Sequence, residues 1–288
     1  MRHWMIGLLG LFGSWCGHAG AVTYTSEDSL KVVRLLALGK AQPEGTNLPL
    51  FFAGQLKGIP YVAATLEVNR QEELVVNLRQ LDCTTLVENV VALTRAVRLP
   101  HPSFAVFCRE LETIRYKNGL LEGYASRNHY FSGWIDSNEK MGIVTEIKGD
   151  AIDGYFPFIA EQKLAQYYMS THPHLYPMLG GKPEEIERIR HSELEVEGRT
   201  VRYIPLELLD KGKDVLGDVQ DGDILAIVTK KKGLDTSHLG FAVWKDGKLH
   251  LLNASSIHKK VVLEPMTLSQ YMKKHPSQLG VRVVRIMP

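Results

Sequence analysis

The sequence has 288 residues, of which 44% are hydrophobic and 23% charged, enough to bury a core in one large domain or two small ones. A formal net charge of only +2 gives no electrostatic footprint for nucleic acid and no polybasic anchor for a membrane surface. Cys16, Cys83 and Cys108 are the only cysteines; they make no disulfide framework, no CxxC pair and no zinc-ligand spacing, so neither metal nor cofactor is expected.

The N-terminus reads as an export signal. Arg2 and His3 precede an apolar run over 4–15, and Ala19-Gly20-Ala21 fits a small-residue cleavage pattern. Cleavage after Ala21 removes residues 1–21, which carry Arg2 and no acid, and leaves 33 basic against 32 acidic side chains. The run is shorter than the roughly 20 residues a bilayer span needs, so no stable membrane insertion is expected after cleavage; an uncleaved anchor is the competing reading. Lipidation at Cys16 would need a small residue where Trp15 stands.

Residues 26–38 show helical spacing, with Leu30, Val33 and 36–38 on one side and Gly39 as a stop. Residues 45–54 read as a loop, and 61–68 alternate loosely after Gly58-Ile59-Pro60. The clearest helix is 81–99, where Leu86, Val87, Val90, Leu93, Thr94 and Val97 recur at helical spacing and Thr85 with Glu88 fits a capping box. A second helix is expected over 103–116, with Phe104, Phe107, Cys108, Leu111 and Ile114 on its apolar face. Residues 119–217 are mixed: aromatic-rich strands and loops around Tyr130, Phe131 and Trp134, a helical piece at 158–168, and polar turns. His172-Pro173-His174 in this region is a weak metal motif. After Gly222 strands dominate, at 223–228, 238–244 and 248–254, with Asp246-Gly247 as a hairpin turn. Tyr271 falls in a short helix and 281–286 is a last strand. Helices early and strands late predict an α+β domain, here residues 22–288 with the middle segment 119–217 as an insertion.

Cys83 stands at the start of its helix, where unpaired N–H groups and positive partial charge favour a thiolate and can bind an oxyanion; a small buried core cysteine is the alternative, and is the reading for Cys108 in mid-helix. A thiol nucleophile needs a base, and His238 opens the first strand of the hairpin. With Asp246-Gly247 as a two-residue turn, Lys245 faces Lys248, Gly240 faces Asn253 and His238 faces Ser255. His238 and Asn253 then project from one face as diagonal neighbours, so Asn253 can orient the imidazole. A one-residue slip would move Asn253 to the other face, leaving His250, His258 or Ser255 as third member. Asp82 reads as a helix cap.

The segment LDCTTLVENVVAL (81–93), with SHLGFAVWKDGKLHLLNASS (237–256), resembles the AmiA-like N-acetylmuramoyl-L-alanine amidase family, within the NlpC-type, papain-like cysteine peptidases of cell-wall metabolism. GIPYVAATLE (58–67), SRNHYFSGWIDSN (126–138) and GDILAIVT (222–229) fit further blocks in the same order. The resemblance implies a papain-like NlpC-type fold with the nucleophile at a helix N-terminus packed on an antiparallel sheet. It implies Cys83 as nucleophile, His238 as general base and Asn253 as polar third residue, a place where many members carry His. It also implies Tyr61 beside the nucleophile, Ser237 at the substrate, and Arg127, His129 and Trp134 along the groove. His129 is also a rival base. The expected substrate is peptidoglycan or a muropeptide, cut between N-acetylmuramic acid and L-alanine or within the stem peptide, outside the cytoplasm. A wall-binding module without catalysis, or a transferase on the same fold, are the other readings; the presence of both Cys83 and His238 argues against the first. Oligomeric state is not legible.

Overall fold

The computed structural model describes residues 21–149 and 157–288, so all of the expected export segment 1–21 but its last residue lies outside the described residues. In chain order the elements are β1 (Val22–Thr23), α1 (Ser26–Lys40), α2 (Leu48–Gln55), β2 (Leu74–Val75), α3 (Cys83–Arg98), α4 (Phe104–Arg115), α5 (Phe131–Lys140), β3 (Val144–Ile147), β4 (Ala160–Lys163), α6 (Tyr168–Thr171), α7 (Pro183–Leu194), β5 (Thr200–Pro205), α8 (Lys213–Leu216), β6 (Ile224–Thr229), β7 (Thr236–Lys245), β8 (Lys248–Ser255), β9 (Lys260–Leu263), α9 (Leu268–Lys273) and β10 (Gln278–Ile286).

An eight-stranded sheet runs β4-β5-β10-β6-β7-β8-β9, with β3 also paired to β10. All its pairings are antiparallel, which gives the expected α+β class. Alternate residues feed two cores. Ile224 and Ala226 of β6, Leu239 and Phe241 of β7 and Val284 of β10 pack with α1 to α5. Leu225, Ile227, Ala242, Leu251 and Val281 face Leu268, Tyr271 and Met272 of α9 instead. Both faces are covered, which is why β6 reads as an unbroken apolar run rather than an alternating one. The middle segment is woven into this sheet, since β3, β4 and β5 all come from it.

Several local expectations are corrected. Helix α1 buries Val32, Leu35, Leu36 and Gly39, while Leu30, Val33 and Leu38 are exposed; two apolar stripes compete on this helix and packing chose the other one. Gly39 does not stop it. A Cβ there would lie 2.4 Å from the Phe52 ring, so this glycine admits a close approach of α2. The expected loop over 45–54 holds α2 itself, whose Asn47 cap accepts from the Leu50 amide at 3.0 Å and whose Pro49 sits in the first turn. Residues 61–68 form single bridges and turns, not a strand. The aromatic-rich stretch at Phe131 and Trp134 is helix α5, with Phe131, Trp134, Ile135 and Asn138 buried at helical spacing. The expected helix over 158–168 instead contains β4, held by pairing to β5.

Candidate active site

Helix α3 is the buried centre of the helical layer and Cys83 is its first residue. Asp82 caps it: Oδ1 accepts from the Thr85 amide at 2.8 Å, and Thr85 Oγ1 accepts from the Asp82 amide at 2.9 Å. This box replaces the expected Thr85–Glu88 one. Glu88 is buried in an ion pair with Arg115 at 2.7 Å. The Leu239 backbone and Thr84 favour the ionised form of the Cys83 sulfur, and Leu239 follows His238 on β7.

The β7–β8 hairpin has the register read from the turn. Lys245 pairs with Lys248 and the ladder continues to Phe241 and Leu252. Asp246 (φ 50°) and Gly247 (φ 69°) are both left-handed, as the tight turn requires. His238 Nε2 lies 2.9 Å from Asn253 Oδ1. An amide oxygen only accepts, so Nε2 carries the proton and Nδ1 of the neutral ring keeps its lone pair. Asn253 is fully buried, and its Nδ2 donates to the Leu251 carbonyl at 3.4 Å, which orients the amide. His250 and His258 are directed to Glu264 instead, at 3.1 Å each, and Ser255 Oγ accepts from the His258 amide.

Burial pushes the Cys83 thiol up to about 12; Asp82 adds to this, against Leu239 and Thr84. Burial also lowers the His238 pKa, opposed by the Asn253 bond. Desolvation and the adjacent Asp82 carboxylate thus act on the thiol against the partial charge of the helix terminus, about half a unit.

A cleft of about 550 Å³ contains Cys83, Ser237 and His238. Asp82 and Thr84 lie at the thiol, residues 127–131 form one side, and Met169, Leu175, Tyr176 and Pro177 of the middle segment form another. That aromatic and apolar wall had no signal in the sequence, because its residues reach the cleft only through tertiary folding. Tyr61 is half-buried and is not among the residues that line this cleft; its ionisation is opposed first by burial and then by Cys83 and Asp82.

Two groove residues are corrected. Arg127 lines the cleft but its donors are taken: Nε and Nη2 donate to Glu72 at 2.9 and 2.6 Å, and Nη1 donates to Glu67 at 2.7 Å. It is no free clamp for a substrate carboxylate. Trp134 is fully buried and stacks on Phe131 at 4.9 Å, so it offers no face to a sugar. His129 lines the cleft but its Nε2 is bound to the Tyr124 carbonyl at 2.8 Å, and burial and Arg127 hold its pKa well below the ordinary value. Cys108 is core, 8% exposed. His172 Nδ1 bonds the Tyr168 carbonyl at 2.9 Å, and no group of three or more His, Cys, Asp or Glu that could hold a metal exists among the described residues.

Fold and site together define an α+β protein in which a thiol and an imidazole line one cleft and a buried amide holds the imidazole. The chain belongs to the AmiA-like, N-acetylmuramoyl-L-alanine amidase-like family, whose model matches residues 52–281. A solved N-acetylmuramoyl-L-alanine amidase from Bacteroides uniformis is 38% identical, over 83% of this chain and 99% of that one, with a TM-score of 0.77. A Bacteroides fragilis protein provisionally named a xylanase is 37% identical, over 82% of this chain and 100% of that one, with a TM-score of 0.75. Protein LPG0564 of Legionella pneumophila, 22% identical over 91% of this chain and 95% of that one, shares the fold with a TM-score of 0.69. No curated protein matches.

Proposed function

We propose that this chain is an exported cysteine amidase of peptidoglycan that cuts between N-acetylmuramic acid and L-alanine, on a papain-like NlpC-type fold formed by residues 22–288 after removal of 1–21. The observation that carries it is the His238–Asn253 bond of 2.9 Å in the cleft that also holds Cys83 at the start of α3. The family match supports the substrate. Among the described residues no helix is long and apolar enough to cross a membrane.

The reaction starts from a neutral thiol and a neutral imidazole. Cys83 Sγ attacks the lactyl amide carbonyl as its proton passes to Nδ1 of His238, and Asn253 stabilises the imidazolium through Nε2–H. First-turn amides of α3, without intrahelical acceptors, bind the developing oxyanion. His238 returns the proton to the departing L-alanine nitrogen. Water, deprotonated by His238, then hydrolyses the thioester. Ser237 and Tyr61 flank the substrate carbonyl in this reading. Glycoside hydrolysis needs two free carboxyl groups at the scissile bond. Here Asp82 caps α3, Glu67 is paired with Arg127 and Glu88 with Arg115, and Asp235 accepts from the Ser132 and Thr236 amides, so the cleft favours acyl transfer.

The test is mass spectrometry of soluble muropeptides incubated with purified protein lacking residues 1–21. Free stem peptide and intact sugar are expected with the native enzyme, and neither with a folded Cys83→Ala variant. Cleavage inside the stem would make it an endopeptidase, and unimpaired Cys83→Ala turnover would remove the thiol from the mechanism.

A further inference from the structure

The chemistry above leaves Asn128, a polar residue of the cleft, without a role. Asn128 is 6% exposed, yet neither its Oδ1 nor its Nδ2 has a hydrogen-bond partner among the described residues. Both atoms of a buried amide going unpaired is unfavourable, and native folds rarely tolerate it without a use. Ser237 Oγ, on β7 immediately before His238, is likewise buried and unpaired. Asn128 and Ser237 line the same cleft as Cys83.

Asn128 is held firmly. Its own amide donates to the Arg115 carbonyl at 2.9 Å. On one side Arg127 is locked between Glu67 and Glu72; on the other His129 is bound to the Tyr124 carbonyl. Pinned neighbours present the carboxamide in one place, which is what a recognition group needs.

We propose that Asn128 reads a secondary amide of the substrate remote from the scissile bond. A carboxamide offers one acceptor and one donor group, and a secondary amide offers the complementary N–H and C=O, so the two can pair through both. A carboxylate would satisfy only Nδ2 and would meet Asp82, Glu67 and Glu88 in the same cleft, with Arg127 already spent on acids. The ligand chemistry is therefore a neutral amide. In a muropeptide it has two sources, the sugar N-acetyl group and the peptide bond that follows L-alanine. This inference rests on the amidase reading and adds to it a specificity residue.

The experiment measures kcat/KM of native enzyme and Asn128→Leu on three substrates: N-acetylmuramoyl-L-alanyl-D-isoglutamine, the same compound with a free sugar amine, and the same compound with an ester in place of the alanyl–isoglutaminyl amide. Asn128→Leu should lose about ten-fold to a hundred-fold on the full compound. The loss should shrink to less than about three-fold on whichever analogue lacks the amide that Asn128 reads, which identifies the source. Equal loss on all three substrates, or no loss on any, overturns the proposal. Asn128 also lines a second cleft of about 480 Å³, together with Gln166, whose Nε2 is buried and unpaired. Gln166→Leu should leave all three rates unchanged; a matching loss there would put the amide in the second cleft and overturn the assignment to this one. Asn128→Ser, measured in the same way, decides the matter if the leucine variant does not fold. No turnover by native enzyme would sink the amidase reading, whereas native turnover with a uniform Asn128 loss sinks only this subsite.

Discussion

Cys83 and His238 work as a pair whose protonation is set by their surroundings. Burial raises the thiol to about 12 and lowers the imidazole from 6.5, so it acts on both towards the neutral form. That is the form general-base attack requires. Lowering the His238 pKa keeps it a base to lower pH. Accordingly kcat/KM should rise with pH through a midpoint below 6.5 and show no falling limb up to about pH 9. Alkylation of Cys83 by iodoacetamide in the free enzyme should be slow at neutral pH and climb about ten-fold per pH unit, because only the thiolate reacts. Fast alkylation near pH 6 would instead establish a preformed thiolate–imidazolium pair. Of the two, the residues were readable in the sequence but their ionisation was not, since desolvation exists only in the folded cleft.

Helix α3 carries the site, and a buried ion pair anchors it. Arg115, the last residue of α4, is 1% exposed; its Nε donates to Glu88 at 2.7 Å and its Nη1 to the Val75 carbonyl at 2.7 Å. One side chain thus joins α4, α3 and β2. Removing it strands the Glu88 carboxylate, so Arg115→Leu should cost about 3–5 kcal/mol in denaturant unfolding. Adding Glu88→Leu should recover much of that loss, because the uncompensated charge is then gone. A cost below about 1 kcal/mol would show that the pair contributes little to holding α3. Nothing in the spacing of Glu88 and Arg115 announced this contact; Glu88 looked like part of a cap because Asp82, with Thr85, performs that task one turn earlier.

Across the whole molecule, the cleft is where α3, the β7–β8 hairpin and the middle segment meet, and two imidazoles there are held neutral. His238 and His129 both have pKa values below the ordinary 6.5. As pH falls through that value the unfolded chain takes up protons that the folded one resists, so stability is lost on acidification and regained as pH rises. The melting temperature should therefore drop between about pH 7.5 and pH 6, before the carboxylates titrate. His129→Gln should reduce the slope, and an unchanged slope would remove His129 from this balance. Glu88 and Asp223 have raised pKa values from burial and act in the opposite sense, in the lower carboxylate range.

The sequence by itself determined the helix that presents Cys83, the hairpin register that brings Asn253 to His238, and the α+β class. Each rests on local rules, helical spacing, a two-residue turn and strand alternation, that hold before any tertiary contact forms. The tertiary structure decided the rest. It chose which apolar stripe of α1 faces inward and turned 45–54 into a helix packed through Gly39 and Phe52. It buried Trp134, and it paired Arg127 with Glu67 and Glu72. It also left the Asn128 amide unpaired in the cleft. These outcomes depend on partners about 13 to more than 50 positions away in the chain, whose proximity no local pattern encodes.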